Sequence, residues 1–242
     1  MPDSGKIAIV AALEREVRPL VRKWPVDRRE YDGRRFTLFE KDGVVVICAG
    51  IGAGVARRAT EAVISLHRPR VVLSAGFAGA LDRGLKVGQI VIPRVIVDAQ
   101  DGSRVEIGLG NGVLVSAMAI ADAEQKSKLA SAYAAQAVDM EAAAVVKQAE
   151  ARGVNCLAVK VISDEMDFEM LPLDRFVDHD GRFRTASFVA YFIARPWLWF
   201  RVFRLFGNSR KASEALCIRL DQFIREYDEA NDETTQEFER LR

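Results

Sequence analysis

Cysteine and histidine are scarce in this sequence. Its 242 residues include three Cys and two His. Cys48, Cys156 and Cys217 show no metal-ligand spacing, and each lies in or beside an apolar run. We therefore predict buried free thiols, which suit a reducing cytoplasm. His67 and His179 have no evident acidic or thiol partner in the sequence, which favours structural or surface roles, and we predict no metal site.

The chain also lacks an excess of either charge. Its formal net charge is +1, so composition does not indicate nucleic-acid binding. The first residues, MPDSGKIAIVAALE, hold only a short apolar run and lack the layout of a signal peptide. There is no internal repeat, and the length suits one large α/β domain with a substantial core. We expect a cytoplasmic protein.

No apolar run is long enough to cross a membrane. The richest stretch is ASFVAYFIARPWLWFRVFRLFGNSRK. Arg184 and Arg195 bracket only ten residues there and Pro196 interrupts the stretch, whereas a spanning helix needs about 20. Two interpretations stay open. The stretch forms core or oligomer-contact helices, or residues 186–206 touch a lipid surface weakly through Trp, Phe and Arg.

Two common catalytic motifs are missing as well. There is no Gly-x-Ser-x-Gly turn of a serine hydrolase, and no Gly-Lys-Ser/Thr of a P-loop. The segment AGIGAG (49–54) is a weak glycine motif on its own. It could be a helix-start turn or a phosphate-binding loop.

Strand-like and helix-like segments alternate along most of the chain. The patterns predict strands at 6–13, 70–76, 88–99 and 155–163, a hairpin that turns at Asp42-Gly43, helices at 54–67, 121–133 and 141–152, and a long C-terminal helix from near Lys211. This alternation predicts one α/β domain over residues 1–242. We expect a central mixed, twisted sheet flanked by helices, with an aromatic and basic helical extension at about 186–230.

Acidic residues flank a helix and the following strand in VDMEAAAVVKQAEARGVNCLAVKVISDEMD (138–167). The helix would run about 18 Å at ~1.5 Å per residue, and the strand would return about 26 Å at ~3.3 Å per residue. Glu141 and Asp164 should therefore meet at the carboxyl edge of the sheet, where ligand crevices lie. ALERE (12–16), AGIGAG (49–54) and SAGFAGAL (74–81) also follow strands and should converge on that crevice.

Each acidic residue also has a purely structural explanation. Glu14 and Glu16 suit the first turn of a helix, where the helix dipole favours acids. Asp139 and Glu141 could play that part for the next helix, and Asp164 could be an N-cap.

The order of five segments resembles that of the nucleoside phosphorylase superfamily. They are AALEREV, AGIGAGVA, SAGFAGALDRGLKVGQIVIP, VDMEAAAV and VKVISDEMD, within residues 6–97 and 135–167. The nearest pattern is that of the 5'-methylthioadenosine/S-adenosylhomocysteine nucleosidases. The resemblance implies an enzyme, expected to be a homodimer, that hydrolyses the N-glycosidic bond of a 5'-substituted adenine nucleoside.

The resemblance also implies catalytic roles. Asp164, oriented by Ser163, would be the acid near N7 of the departing purine. Glu16 would take a proton from the attacking water. No metal or organic cofactor is implied, although phosphate could act as a co-substrate.

Contacts to the ribose follow from the same resemblance. Glu141 would accept hydrogen bonds from the 2'- and 3'-hydroxyls and favour the positive transition state. Met140 would pack under the ribose, with Ile51 near the sugar. The full set of predicted substrate-binding residues is Ile51, Gly76, Phe77, Asp139, Met140, Glu141 and Ser163.

Three features depart from the family pattern. Phe77 stands where the family usually has a small polar residue. LSAGFAG lacks the Arg of a phosphate pocket, which favours water as the nucleophile, although Arg15 could substitute. Residues 98–136 are shorter than in the nucleosidases, so Ala117–Ile120 are only candidates for the adenine side.

Two alternatives remain. LPLDRFVDHDGRF and the aromatic segment after it resemble a hopanoid-associated branch of the superfamily, which implies phosphorolysis of adenosylhopane, a nucleoside with a lipid tail. The second is a nucleoside-binding protein without catalysis, although the joint presence of Glu16, Glu141 and Asp164 argues against it.

Overall fold

The chain alternates between strands and helices, as the sequence patterns predict. A computed structural model describes residues 7–178, 181–193 and 195–240, without the side chains of Asp174 and of residues 231–240. His179 lies outside the described residues. The strands are β1 (Ile7–Ala11), β2 (Val26–Tyr31), β3 (Arg34–Lys41), β4 (Val44–Cys48), β5 (Val71–Ala80), β6 (Ile90–Val91), β7 (Val95–Asp98), β8 (Arg104–Glu106), β9 (Val113–Ser116), β10 (Ala137–Asp139) and β11 (Asn155–Asp164). The helices are α1 (Glu14–Val21), α2 (Ala53–His67), α3 (Ala123–Tyr133), α4 (Ala142–Ala151), α5 (Thr185–Ile193) and α6 (Trp199–Arg240), with short 3₁₀ turns at Leu173–Phe176 and Pro196–Leu198.

Eleven strands of the described residues form one mixed sheet, which confirms the predicted fold class. The strand order is β2-β3-β4-β1-β5-β10-β9-β7-β8, and β11 pairs with β5 and β6. β1, β4, β5 and β11 run in the same direction, so their carboxyl ends meet at one edge. β10 pairs antiparallel with the last residues of β5, so the helix-and-strand unit predicted around 138–167 is entered from an antiparallel strand.

Helices cover both faces of the sheet, because its central strands have apolar side chains on both faces, as β1 illustrates. Its residues alternate, as side chains of a strand must. Ile7 and Ile9 belong to one buried cluster, which also contains Leu216 of α6. Ala8 and Val10 belong to another, which contains residues of α2 and α4. The residues of α6 around Leu216 are therefore part of the main core.

The start of α6 differs from the prediction. The helix begins at Trp199 and not near Lys211, although aromatic residues are only moderate helix formers. Tertiary packing outweighs this weak preference, because Leu198, Val202 and Leu205 pack against a buried cluster that contains Phe188 and Phe192. The C-terminal extension thus has an outer aromatic part and an inner part within the core.

Other differences concern short or polar strands. The hairpin turn at Asp42-Gly43 is confirmed, and both residues have the positive φ that a two-residue hairpin needs. The edge strand β2 was missed because its sequence, VDRREY, is polar and largely exposed. β8, β9 and β10, of three or four residues each, were missed too.

The three cysteines are free thiols, as predicted. Cys217 is buried, whereas Cys48 and Cys156 are half-buried. Burial raises the pKa of Cys48 to about 12 and the pKa values of Cys156 and Cys217 to about 11, so all three stay protonated near neutral pH. His67 does have an acidic neighbour, since its Nε2 lies 3.5 Å from Glu40 Oε1.

Candidate active site

One cavity of about 220 Å³ gathers the predicted segments at the carboxyl edge of the sheet. Its polar half is lined by Glu16, Glu141, Asp164, Ser163 and Lys126, with Asp139 in the wall. Its apolar half is lined by Met170, Leu173, Phe183, Phe188, Val189, Leu205 and Phe206. The convergence expected from the strand ends is therefore present in the fold.

Glu16 is the buried acid of the first turn of α1. Glu14 is exposed there, as a simple first-turn acid would be, whereas Glu16 is only 5% exposed. Burial raises the pKa of Glu16, although nearby Arg15 and Lys160 oppose the shift. The Ser213 hydroxyl of α6 donates to the carbonyl oxygens of Arg15 at 3.0 Å and Glu16 at 3.1 Å. The C-terminal helix thereby anchors the turn that carries this acid.

Gly76 makes room for the Glu16 carboxylate. A Cβ at position 76 would lie 3.1 Å from Glu16 Oε2 and 3.7 Å from Lys160 Nζ. Gly76 is not among the residues that line the cavity. Gly76 thus leaves space for the Glu16 side chain, and its contact with substrate stays a prediction.

Glu141 lies between two structural elements of the polar half. It precedes α4, and its Oε1 accepts a hydrogen bond of 2.8 Å from the amide of Gly52. Burial and the Asp139 carboxylate raise the pKa of Glu141 to about 7, and Lys160 opposes this shift. Gly52 directly precedes α2, so AGIGAG is a helix-start turn with one of its amides bound to the protein's own carboxylate.

The Asp139 carboxylate accepts hydrogen bonds from other groups of the protein. Its Oδ1 accepts from Ser116 Oγ at 2.5 Å, and its Oδ2 accepts from the Ala142 amide and from Lys160 Nζ at 2.9 Å each. The Asp139 side chain has 0% exposure. Asp139 thereby holds Lys160 and the start of α4. It also lines the cavity, and its contact with substrate stays a prediction.

Asp164 ends β11 and does not cap a helix, since α5 begins only at Thr185. Its Oδ1 accepts from the Ser163 hydroxyl at 2.7 Å, as expected for an orienting serine. Its Oδ2 accepts from Lys126 Nζ, which also donates to the carbonyl oxygen of Glu165 at 2.8 Å. The N-cap alternative for Asp164 is therefore wrong.

Sequence reasoning missed two buried lysines, Lys126 and Lys160, each with a side chain 1% exposed. Lys160 carried a signal, because a lone lysine inside the apolar run NCLAVKVIS implies a buried partner. Burial alone would lower the pKa of Lys160, but Asp139 and Glu141 outweigh it and raise the pKa. Lys126 carried no such signal, since it lies in a polar stretch of its helix that contains a second lysine, Lys128.

Most of the remaining predicted residues line the cavity. Ile51, Phe77 and Met140 do so, as do Ala119 and Ile120 among the adenine-side candidates. The Ile51 amide donates to the carbonyl oxygen of Gly181 at 2.8 Å. This bond ties the loop at the polar half to the segment that carries Phe183.

The apolar half opens onto an exposed aromatic surface. We call the exposed side chains of Val189, Ile193, Trp197, Trp199, Phe200, Phe203 and Phe206 the aromatic surface. Val189 and Phe206 belong to both the cavity lining and this surface. Arg15 lies over the Phe183 ring at 5.3 Å, at the boundary of the two halves. Among the described residues, no helix combines the length and the apolar character needed to span a membrane.

Comparison with known proteins places this geometry in a family. A model of the phosphorylase superfamily matches residues 6–125 and 111–190. The 5'-methylthioadenosine/S-adenosylhomocysteine nucleosidase of Haemophilus influenzae (strain PittEE) is 39% identical over 92 residues, which cover 36% of this chain and 39% of the relative. The matched part thus spans about two fifths of that relative's length.

Solved structures agree over most of the chain. Futalosine hydrolase of Helicobacter pylori has a TM-score of 0.69 and 20% identity, with 92% of this chain and 98% of that chain covered. The H. pylori 5'-methylthioadenosine/S-adenosylhomocysteine nucleosidase with butyl-thio-DADMe-Immucillin-A has a TM-score of 0.63 and 19% identity, with 90% and 98% covered. At these identities the likeness concerns the fold, and the family model covers most of the chain. This protein belongs to the phosphorylase superfamily.

Proposed function

We propose that this protein hydrolyses the N-glycosidic bond of an adenine nucleoside that carries a 5'-substituent. The observation that supports this most is the meeting of Glu16, Glu141 and Asp164 around one cavity. The family and the similarity to nucleosidases over 92 residues support the same reaction class. No metal or organic cofactor is assigned a part in it.

Two carboxylates divide the proton transfers. As the bond breaks, positive charge develops on the sugar and electrons move onto the purine, so protonation of the purine near N7 makes it a better leaving group. Asp164, held by Ser163, delivers this proton. Glu16 takes a proton from the attacking water, and the raised pKa of Glu16 makes its carboxylate a stronger base.

Glu141 orients the sugar. Its ionised carboxylate accepts hydrogen bonds from the ribose 2'- and 3'-hydroxyls and stabilises the positive transition state. Met140 packs under the ribose, and Ile51 lies near it. Lys160 underlies this region and favours the charged forms of Glu16 and Glu141.

The first test is release of base from a nucleoside panel. We expect adenine from methylthioadenosine, adenosylhomocysteine or a more apolar 5'-analogue, at equal rates with and without phosphate. A rate that requires phosphate would instead make phosphate the nucleophile, with Arg15 as its candidate ligand. Binding of nucleosides without base release from any of them would favour the alternative of a non-catalytic binding protein.

The 5'-substituent is proposed to be apolar. Phe183, Phe188 and Leu205 line the half of the cavity beside the sugar-binding carboxylates. The butyl-thio group of the ligand in the H. pylori nucleosidase shows that a related fold accepts an apolar chain. The relatives named above give no support to the adenosylhopane alternative.

Specificity should rise with the length of the 5'-group. Each methylene buried contributes about 0.8 kcal/mol, so kcat/KM should rise by up to about fourfold per methylene across 5'-alkylthioadenosines. Phe206→Ala, at the mouth of the apolar half, should flatten the series. Phe200→Ala, on the aromatic surface but outside the cavity lining, is the matched control. A flat wild-type series would leave a compact substrate as the better assignment.

We also propose weak contact between the aromatic surface and an anionic membrane surface, for a protein located in the cytoplasm. Trp199, Phe200 and Phe203 are exposed on the first turns of α6, and exposed Arg201 and Arg204 lie among them. Apolar rings with interspersed arginines suit the boundary of headgroups and acyl chains. The predicted homodimer is the competing use of this surface.

Vesicle co-sedimentation separates the two uses. The wild type should sediment with phosphatidylcholine vesicles that contain phosphatidylglycerol and less with pure phosphatidylcholine. Joint substitution Phe200→Ser and Phe203→Ser should abolish sedimentation, whereas Ile218→Ser, exposed elsewhere on α6, should not. A wild-type dimer that the double substitution converts to monomers, without vesicle binding, would assign the surface to the dimer.

A further inference from the structure

Lys126 is a buried cation at the acid end of the cavity. Its side chain projects from α3, lines the cavity and is only 1% exposed. Burial of an ammonium group is costly unless it is paired. Its Nζ donates to Asp164 Oδ2 and to the carbonyl oxygen of Glu165 at 2.8 Å, so two of its three protons have fixed acceptors.

The strand β5 is shaped to admit this ion pair. A Cβ at position 79 would lie 2.9 Å from Asp164 Oδ2 and 3.2 Å from Lys126 Nζ. A side chain at position 79 would therefore clash with both partners, which explains the glycine there. The pair also joins elements far apart in the chain, since Lys126 and Asp164 are 38 positions apart.

The pair conflicts with a simple acid role for Asp164. Both oxygens of its carboxylate accept hydrogen bonds, one from Ser163 and one from Lys126. Both oxygens are thus engaged as acceptors of hydrogen bonds from the protein. An ionised carboxylate has no proton to give, whereas the adjoining ammonium group has three.

We propose that Lys126 is the source of the proton that the departing purine receives through Asp164. This inference rests on the proposed N-glycosidic cleavage. An Nζ–H bond of Lys126 breaks, and its proton passes to Asp164 Oδ2. Asp164 then passes a proton to the lone pair of a purine ring nitrogen, while the electrons of the breaking glycosidic bond stay on the base.

The proton balance closes over one turnover. The attacking water gives a proton to Glu16 and its oxygen to the sugar. Lys126 is left as a neutral amine and regains a proton from solvent, while Glu16 releases one. The net reaction is nucleoside plus water to free base plus sugar.

Lys126→Arg tests the proposal most directly. A guanidinium keeps the charge and the hydrogen-bond donors but does not release a proton in proteins. The substrates are purine nucleosides that share one 5'-group and carry increasingly electron-withdrawing substituents on the base. The more electron-withdrawing the substituent, the less the base needs to be protonated before it can leave. We expect kcat for the adenine nucleoside to fall on the order of 10²–10⁴-fold, and the deficit to shrink steadily as the base becomes a better leaving group.

Two further variants keep the test decisive. Lys126→Met removes charge and proton together and should show the same dependence on the leaving group, with a thermal melt to check its folding. Lys128→Met is the matched control, since that lysine is 72% exposed on the same helix. No loss in Lys126→Arg would overturn the proposal and leave Lys126 as a residue that only positions Asp164. An equal loss for every base would also overturn it and leave Lys126 with a structural role that is separate from proton transfer. A wild type inactive on all these nucleosides would instead overturn the proposed function.

Discussion

Asp164→Asn is expected to lower kcat for adenine release by on the order of 10²–10⁴-fold, in a protein that still folds. The amide keeps an oxygen that can accept from Lys126, but it cannot carry a proton to the purine. Loss of the negative charge leaves Lys126 less well compensated, so the melting temperature should also fall. Steady-state kinetics on the best substrate of the panel and a thermal melt measure the two effects.

Asp167→Asn is the matched control for that substitution. Asp167 lies three residues further along, its side chain is 72% exposed, and it pairs with exposed Arg83. Surface pairs of this kind contribute at most about 1 kcal/mol, so the control should keep both its rate and its melting temperature. An Asp164→Asn protein that is folded and as active as this control would remove Asp164 from the proton path.

Glu16→Gln is expected to cause a loss of comparable size, on the order of 10²–10⁴-fold in kcat. Glutamine is close to glutamate in shape and can fill the space beside Gly76, but it cannot take a proton from water. Glu14→Gln changes the same charge in the same turn at an exposed site, so it controls for the electrostatics of the start of α1. Equal rates for the two variants would contradict the role of Glu16 as the base.

The pH profile supplies a second readout for Glu16. A base works when ionised, so wild-type kcat/KM should fall as the pH drops and Glu16 takes up a proton. Burial raises the pKa of Glu16, which moves this loss to higher pH than for an exposed glutamate. Glu141 must also be ionised to bind the sugar, and its pKa is about 7. Glu16→Gln should therefore retain only the acid limb that belongs to Glu141.

Local sequence patterns were sufficient to predict the main strands and helices and the positions of the acidic residues at the strand ends. Apolar runs bounded by turn residues predicted β1, β5 and β11, and the position of Asp164 at the end of such a run predicted where it lies. Parallel strands bring their carboxyl ends to one edge of the sheet, and this does not depend on the direction of the other strands. The meeting of Glu16, Glu141 and Asp164 was therefore predictable, even though the antiparallel direction of β10 was not.

Other parts of the site depended on long-range packing. The pairing of Asp139 with Lys160 depends on how closely β10 and β11 approach each other, and the sequence around Asp139 does not determine this. The space that Gly76 leaves for Glu16 likewise depends on where α1 packs against β5. The core role of Leu216 likewise follows from where α6 crosses the sheet.

The sequence by itself determined the alternation of elements, the edge where the acids meet and the family pattern, because each depends on local periodicity or local motifs. Only the tertiary structure decided which lysine of α3 is buried. Lys126 and Lys128 lie two positions apart on the same helix, yet their side chains are 1% and 72% exposed. Burial of Lys126 is compensated by Asp164, which lies on a strand that follows α3 in the sequence. The charge of Lys126 is stabilised by groups that are distant in the sequence and close in the fold, so the residues next to Lys126 in the chain do not reveal its burial.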